Sequence, residues 1–324
     1  DTTRHDTTRH DTTRHDTTNL AICVPGIGST KPFSALMADT MPDLELVSKG
    51  QCLPRYRYER RIAPSASREW EPPSRSRSSS PTGCPTSTSS SSDSASPAGS
   101  IPVPGGIFDD AELFDTELER VDNITDTALR AFRERYGDDE ITKDAIFDYV
   151  YGVLHAPAYR DRFANDLSKA LPRIPLAPEF DAFAKAGREL AELHVDYESG
   201  PEYPLEVQVP SGEKLGPEHC RIGHSKMRWL NGKSGLKISD RLTLAKIPSE
   251  AHDYVVNGRT PLEWLIDRYR VTTDTNSGIV NDPNGWFEDP LDLVRAFKRV
   301  VHLSVETVRI VASLPEPFAE AGEE

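Results

Sequence analysis

A serine- and proline-rich stretch limits how much of this chain can form one packed core. Residues 73–100 hold 13 serines and four prolines in 28 positions, with no large hydrophobic side chain. Such a composition cannot bury enough apolar surface to offset the entropy lost on ordering. The sequence therefore predicts a disordered insertion that separates residues 19–72, the first part of a folded domain, from residues 101–315, its main part.

Both ends of the chain are also predicted to lie outside the folded domain. The five-residue unit DTTRH recurs through residues 1–18 and contributes no large apolar side chain, so this segment is expected to be a disordered tail. Residues 316–324 are expected to form an acidic tail. No stretch approaches the roughly 20 apolar residues that span a bilayer, and no signal peptide precedes the domain. We expect a cytoplasmic protein without a membrane partner.

Helical and strand patterns occupy separate blocks of the sequence. Apolar residues recur at helical spacing through residues 124–195, and the same spacing returns after residue 260. AICV (21–24) and LELV (44–47) look like short strands, and period-two alternation follows Gly200. Blocks that do not alternate favour an α+β arrangement over a doubly wound one. The sequence thus predicts a mixed α+β domain with a helical middle block and a mostly antiparallel sheet.

Capping residues mark where several helices should begin and end. Thr125 can cap the first helix of the middle block, and Gly137 can close it. TPLE at residues 260–263 supplies a threonine cap, a proline at the first helical position and a glutamate three residues after the cap, which together predict a capping box.

No catalytic or phosphate-binding motif is recognisable. VPGIGST misses the GxGxxG spacing because Lys31 stands where the third glycine is needed, and GKS at residues 232–234 lacks the upstream glycine of a P-loop. No HExxH, GxSxG or Ser–His–Asp order is found. We therefore expect no catalytic residue and no bound cofactor in this chain.

The cysteines do not predict a metal site either. No CxxC pair occurs, so Cys23 and Cys52 are expected to be buried thiols. His219, Cys220 and His224 come closest to a ligand cluster, but a second paired motif is lacking. We expect no metal.

One basic run contrasts with the acidity of the whole chain. The chain has 38 Lys and Arg against 52 Asp and Glu, a net charge of -14, yet residues 226–246 hold six cations against one acid, Asp240. Binding to phosphates requires several cations presented together. Strand alternation would place alternate members on one face. The candidate phosphate or base contacts are Lys226, Arg228, Lys233, Lys237 and Arg241. The alternative is a solvated hairpin whose lysines protect a sheet edge.

Three further side chains are candidates for contact with base edges. Arginine can read guanine in the major groove, and asparagine or glutamine can read adenine. On these grounds Asn231, Gln51 and Arg55 are secondary candidates beside Arg228.

Six blocks of the sequence, in order, resemble the C-terminal specificity domain of the Type ISP restriction-modification enzymes. The six blocks contain, one each and in this order, the segments AICVPGIGSTKPFSALMADTMPDLELVSKG, NITDTALRAFRERYGDDEITKDAIFDYVYGVL, LPRIPLAPEFDAFAKAGRELAEL, KMRW, IPSEAHDYVVNGRTPLEWLIDRY and SGIVNDPNGW. Together they span most of residues 19–315. The resemblance implies a target recognition domain that reads a short, asymmetric DNA sequence, with double-stranded DNA as the partner.

In that family the same polypeptide also carries a nuclease, a helicase-like ATPase and an adenine-N6 methyltransferase. No motif of these parts is found here, so S-adenosylmethionine, ATP and Mg²⁺ are expected to belong to domains that this sequence lacks. We expect a detached or truncated specificity domain that neither cuts nor methylates DNA alone.

Two other hypotheses remain open at this stage. The chain could be a non-catalytic remnant that packs on a separately encoded methyltransferase or helicase–nuclease polypeptide. It could also be an independent enzyme whose site the sequence does not reveal.

Overall fold

The computed structural model describes residues 19–43, 46–60, 118–223 and 226–318. The predicted tail at residues 1–18, the predicted insertion at 73–100 and most of the predicted acidic tail lie outside the described residues. The described residues fall into two units, a larger one that contains those up to 57 and from 122, and a smaller one that contains residues 58–60 and 118–121. Of the smaller unit the structure describes only parts of two paired strands, β4 (Tyr56–Arg60) and β5 (Leu118–Asp122).

A three-stranded antiparallel sheet opens the larger unit. Its strands are β1 (Ala21–Val24), β2 (Leu36–Ala38) and β3 (Gln51–Pro54), in the order β2-β1-β3. The central strand β1 is fully buried, as an apolar AICV segment flanked on both sides should be.

Two predictions for this region are wrong. The strand predicted at LELV is not formed by Leu46 and Val47, and β2 lies earlier, at Leu36–Ala38, whereas residues 44–45 are outside the described residues. Of the two thiols predicted to be buried, Cys23 is, but Cys52 is exposed. Cys52 lies opposite Cys23 on β3, which is an edge strand and is therefore covered on one side only.

The middle of the chain is helical, as predicted. Thr125 caps the first helix by accepting a hydrogen bond from the Ala128 amide, and Gly137 ends it with a left-handed φ of 65°. Within the stretch of helical spacing predicted over residues 124–195, the segment after Pro157 forms two short helices that are separated at Phe163. The five helices are α1 (Asp126–Tyr136), α2 (Lys143–His155), α3 (Pro157–Arg162), α4 (Ala164–Leu167) and α5 (Phe180–Val195).

Helices α2 and α5 cross in close contact at two glycines. A Cβ added to Gly187 would lie 1.8 Å from the Asp148 carbonyl oxygen, and one added to Gly152 would lie 2.2 Å from that of Phe183. Only glycine permits this backbone approach. The crossing anchors a core to which β1, β2 and the end of the C-terminal helix also contribute.

A four-stranded antiparallel sheet forms the second part of the larger unit. Its strands are β6 (Glu206–Gln208), β7 (Arg228–Trp229), β8 (Gly235–Ser239) and β9 (Leu242–Ala245), in the order β6-β9-β8-β7. Two helices pack with this sheet in one hydrophobic core, α6 (Pro261–Arg268) and α7 (Asp292–Ala312). The capping box predicted at the start of α6 is confirmed, because Thr260 and Glu263 exchange side-chain to backbone hydrogen bonds. Between the helices, β10 (Thr272–Thr273) pairs with β11 (Val280–Asn281).

The predicted α+β class is confirmed, with a helical middle block and antiparallel sheets. The boundaries of the predicted segments stay predictions. Across the described residues, none of the helices combines the length and apolar character that crossing a bilayer requires.

Candidate nucleic-acid interface

The four-stranded sheet aligns four polar side chains in one row. Arg228 on β7 pairs with Lys237 on β8, Lys237 pairs with Thr243 on β9, and Thr243 pairs with Gln208 on β6. Residues directly opposite each other on antiparallel strands point to the same face of a sheet. We call these four residues the polar row: Arg228, Lys237, Thr243 and Gln208.

The neighbouring row of paired residues is apolar and faces the core. Trp229 pairs with Leu236, Leu236 with Leu244, and Leu244 with Val207. Leu236 and Leu244 are fully buried in the cluster that includes Phe297 of α7. Because side chains alternate along a strand, burial of this row fixes the polar row on the opposite, outward face.

Arg228 is a cation of this surface without a paired acid in the described ranges. It is exposed, on an edge strand, and no carboxylate among the described residues forms an ion pair with it. Lys226, two residues earlier, is also exposed, whereas Met227 between them is buried. The alternation expected for this strand is therefore observed.

Most other cations of the basic run are paired with acids. Lys237 contacts Asp240 at 2.8 Å, Lys246 contacts Glu206 at 2.9 Å, and Lys233 contacts Glu263 at 3.0 Å. Arg241 donates to Glu213. The cationic side chains stay between 38% and 76% exposed, so these are surface ion pairs, which contribute little to stability and exchange readily. The surface is therefore less positive than the run alone indicates.

The ion pairs lower the pKa of the partner carboxyls. The Lys237 ammonium, aided by Arg228, holds the pKa of Asp240 below its usual range. Hydrogen bonds from His219 and then Arg241 do the same for Glu213. Both carboxylates therefore remain charged at neutral pH and compete with any phosphate for the same cations.

Two members of the run lie at the end of β7 and not in the polar row. Asn231 is exposed in a short 3-10 turn after this strand. Lys233 ends that turn with a φ of 56°. Its ammonium contacts Glu263 at the start of α6 and lies 5.8 Å from the ring centre of Trp229, a residue of the apolar row. Lys233 is thus drawn toward the helix-covered side of the sheet.

Gln51 and Arg55 belong to the other sheet region and are not brought into the polar row. Gln51 is exposed on β3, opposite Val24. The Arg55 guanidinium donates to Asp144 at 2.6 Å and lies over the rings of Tyr56 and Phe147. Its side chain is 22% exposed, so most of its hydrogen-bonding capacity is already directed into the protein.

Of the possible metal ligands named from the sequence, the structure describes His219 and Cys220. His219 is buried between Glu213, 2.7 Å from Nε2, and the backbone of Gly216. Burial raises the pKa of the Cys220 thiol to about 11, and His224 lies outside the described residues. Within the described ranges, no group of three histidine, cysteine or acidic side chains could hold a metal ion.

Sequence reasoning did not select Gln208 and Thr243. Both positions carry a detectable signal, because EVQV at residues 206–209 and LTLA at 242–245 alternate polar and apolar side chains. Only the strand register shows that these positions align with Arg228 and Lys237.

Comparison with known proteins identifies the fold. A family model described as the Type ISP C-terminal specificity domain matches residues 1–296. The chain belongs to this family. The resemblance read from the sequence blocks is confirmed. No curated protein matches the chain.

Three solved structures resemble this Type ISP specificity domain over nearly its whole length. The ATP-dependent Type ISP restriction-modification enzyme LlaBIII bound to DNA is 26% identical with a TM-score of 0.67, and 94% of this chain is covered. A nuclease-deletion mutant of the Type ISP enzyme LlaGI in complex with a DNA substrate mimic is 28% identical, with a TM-score of 0.61 and 93% coverage. The DrdV–DNA complex is 31% identical, with a TM-score of 0.66 and 93% coverage.

The matched region is a minor part of each solved structure. It covers 16% of the LlaBIII chain, 18% of the LlaGI chain and 25% of the DrdV chain. The specificity domain described here therefore spans between a sixth and a quarter of the length of these relatives.

Proposed function

We propose that this specificity domain recognises a short sequence in double-stranded DNA through the outward face of its four-stranded sheet. The observation that carries the proposal is the polar row, in which Arg228, Lys237, Thr243 and Gln208 align across four strands opposite a buried apolar row. Three solved relatives are, by their descriptions, bound to DNA or to a DNA mimic. That supports the proposal.

The side chains of the row suit two different kinds of contact. Lys237, together with Lys226 and Arg241, is suited to phosphates, which fix register and orientation without reading sequence. Arg228 can donate two hydrogen bonds to guanine, and Gln208 can pair with adenine. Asn231, exposed after β7, is suited to a base edge at the margin of the contact.

Surface ion pairs of the basic run would let an acidic domain bind its target sequence in preference to unrelated DNA. Lys237 and Arg241 are held by Asp240 and Glu213, and a phosphate that replaces either carboxylate exchanges one exposed ion pair for another. Such exchange changes the free energy little. Affinity then depends on Arg228 and on base contacts, which disfavours adhesion to unrelated sequences.

Gln51 and Arg55 remain secondary candidates on the other sheet. Gln51 is exposed and free to meet a base edge if the duplex extends to β3. Arg55 would first have to leave Asp144, so we assign it a lesser role.

We further propose that the domain alone binds DNA and does not cut or methylate it. Cutting and methylation would then be carried out by other parts of a longer polypeptide, or by a separately encoded methyltransferase or helicase–nuclease chain. S-adenosylmethionine, ATP and Mg²⁺ would bind to those parts. The partial coverage of the three solved relatives supports this division of roles.

Selection from a random duplex pool tests the recognition role. The full chain, incubated with the pool at moderate salt, should enrich one short sequence, and Arg228→Ala should abolish or change that enrichment. A wild-type pool that stays unenriched would contradict sequence recognition.

A second candidate function is docking to a separately encoded partner, and one observation favours it. Ile279 and Val280, on the β10–β11 hairpin, are 68% and 56% exposed. Exposed apolar side chains of this kind often mark protein contacts. Joint expression with the product of a neighbouring methyltransferase gene should give a complex that Ile279→Ser weakens and Arg228→Ala does not. Duplex enrichment by the isolated chain, without any such complex, would favour the first function.

A further inference from the structure

Cys23 and Cys52 lie directly opposite each other on neighbouring antiparallel strands. Cys23 is on the central strand β1, and Cys52 is on the edge strand β3. Side chains of directly opposed residues point to the same face of a sheet. The two thiols are therefore neighbours in space, although strand β2 lies between them in the sequence.

The strand register makes the two cysteines a non-hydrogen-bonded pair. The Arg55 amide donates to the Leu20 carbonyl at 2.7 Å, and these two residues continue the register of β1 and β3, so they form a hydrogen-bonded pair. Hydrogen-bonded and non-hydrogen-bonded pairs alternate along an antiparallel ladder. The next pair, Ala21 with Pro54, is accordingly a non-hydrogen-bonded one, which suits a proline because it has no amide hydrogen. Two positions further along, the cysteine pair is again non-hydrogen-bonded.

Side chains approach each other most closely at pairs of this kind. The two Cα atoms of a non-hydrogen-bonded pair are about 4.5 Å apart, against about 5.5 Å in a hydrogen-bonded pair. A disulfide spans Cα separations of about 4.4 to 6.8 Å. A bond between Cys23 and Cys52 therefore suits the backbone as it is folded, near the short end of this range. Disulfides close to the limits of the allowed geometry are more easily reduced, which favours a reversible link over a permanent one.

The two thiols differ in their access to solvent. Cys52 is exposed, whereas Cys23 is 1% exposed. Burial, and then the neighbouring Cys52, raises the pKa of the Cys23 thiol to about 12. Because the thiolate is the reactive form, Cys23 is protected from direct attack on an oxidant. An oxidant in solution therefore meets Cys52 first, with Cys23 beside it.

We propose that Cys23 and Cys52 form a reversible oxidation site whose oxidant is a low-molecular-weight disulfide. The Cys52 thiolate attacks one sulfur of the disulfide R–S–S–R, which gives a mixed disulfide on Cys52 and releases one R–SH that takes up the proton lost by Cys52. Cys23 then loses its proton and attacks Cys52 Sγ, which forms the Cys23–Cys52 bond and releases the second R–SH. Two protein thiols are oxidised, and one small disulfide is reduced.

The bond would fasten an edge strand to the centre of its sheet. β3 stands at the end of the order β2-β1-β3, so among the described strands it pairs with β1 alone. A cross-link between distant residues restricts the unfolded chain, so oxidation should raise the thermal stability of the domain. Neither cysteine belongs to the polar row, so the oxidation site is judged separately from DNA recognition.

Oxidised glutathione is the probe for this site, and Cys84→Ser is the control variant. Cys84 lies outside the described residues, and its removal leaves Cys23 and Cys52 in place. The full chain is incubated with oxidised glutathione, digested without reductant and analysed by mass spectrometry. A peptide that joins Cys23 to Cys52 is expected in the wild type and in Cys84→Ser, and dithiothreitol should return both thiols.

Thermal unfolding of the same samples gives a second measurement. The midpoint temperature should rise by about 5 °C on oxidation in the wild type and in Cys84→Ser, and should not change in Cys52→Ser. A mixed disulfide of glutathione with Cys52 that leaves Cys23 free, a link between Cys52 and Cys84, or no oxidation of Cys52 would overturn the site. A rise of the midpoint that persists in Cys52→Ser would overturn it as well.

Discussion

Arg228 on β7 lies directly opposite Lys237 on β8, and both side chains point away from the core that α7 covers. The two cations differ in their partners. Lys237 is paired with Asp240 at 2.8 Å, and Arg228 has no ion-pair partner among the described residues. We therefore expect substitutions of either cation, or of the acid beside it, to change the affinity for DNA by different amounts.

Removing the acid beside Lys237 should strengthen DNA binding. Asp240→Asn frees Lys237 and removes a negative charge next to Arg228, so affinity for the selected duplex should rise about three-fold. Asp267→Asn, which frees Arg259 and Arg270 at α6, removes the same charge and is the control. Equal effects of the two variants in fluorescence anisotropy would show that only net charge matters.

Changing the neutral members of the polar row should alter sequence preference more than affinity. Gln208 and Thr243 carry no charge, so Gln208→Ala and Thr243→Ala leave phosphate contacts in place while removing groups suited to base edges. Repeated selection from random duplexes should return a relaxed or shifted sequence. A selected sequence identical to that of the wild type would exclude both residues from base recognition.

The strands of this surface and the outward direction of Arg228 could be predicted from the sequence. The net charge of the surface could not. Alternation placed Arg228 outward, and the caps at Thr125, Gly137 and Thr260 follow local rules that need no tertiary information. The acids that balance the run could not be seen in this way. Glu213 and Glu263, for example, belong to segments distant along the chain and meet the run only after folding.

Arg55 illustrates the same limit. Its local setting, in a polar segment with tyrosines, made it a candidate for contact with a base. Its partner Asp144 is 89 residues away on α2, and only the packing of that helix on the sheet reveals the pair. The shift of the second strand to Leu36–Ala38 has a similar cause, because edge strands are defined by the strand they pair with.

Stability should fall with pH below neutrality because of His194. This ring is buried between Tyr151, 2.6 Å from Nδ1, and Thr307, 3.0 Å from Nε2. Burial, with Arg160 nearby, lowers the pKa of His194 to about 3. The unfolded chain takes up a proton below about pH 6.5 and the folded chain does not. Between about pH 6 and pH 3 unfolding should therefore become easier, by up to about 1.4 kcal/mol per pH unit.

Denaturant titrations at several pH values check this expectation. His194→Gln should be less stable at pH 7, because it loses hydrogen bonds, and should show a weaker dependence on pH. An unchanged slope between pH 6 and pH 4 would mean that His194 is not the group responsible.

The close crossing of α2 and α5 should not tolerate a methyl group. In Gly187→Ala the new Cβ would fall on the Asp148 carbonyl, so the helices must separate, at a cost of about 2 kcal/mol or more. Gly285→Ala, where nothing lies within 4 Å of the added carbon, is the matched control and should be close to neutral. Thermal unfolding of the two variants compares them, and equal stability would contradict the packing described for this crossing.

The salt dependence of duplex binding tests the central claim most directly. For the selected duplex, the slope of log affinity against log salt should be smaller by about two in Lys226→Ala/Lys237→Ala than in the wild type, since two phosphate-facing cations are lost. The control Lys298→Ala/Arg309→Ala removes two cations of α7 that are paired with Glu202 and Glu306, and its slope should stay at the wild-type value. A sheet variant with the wild-type slope, or a control with the same loss, would contradict binding at the polar row.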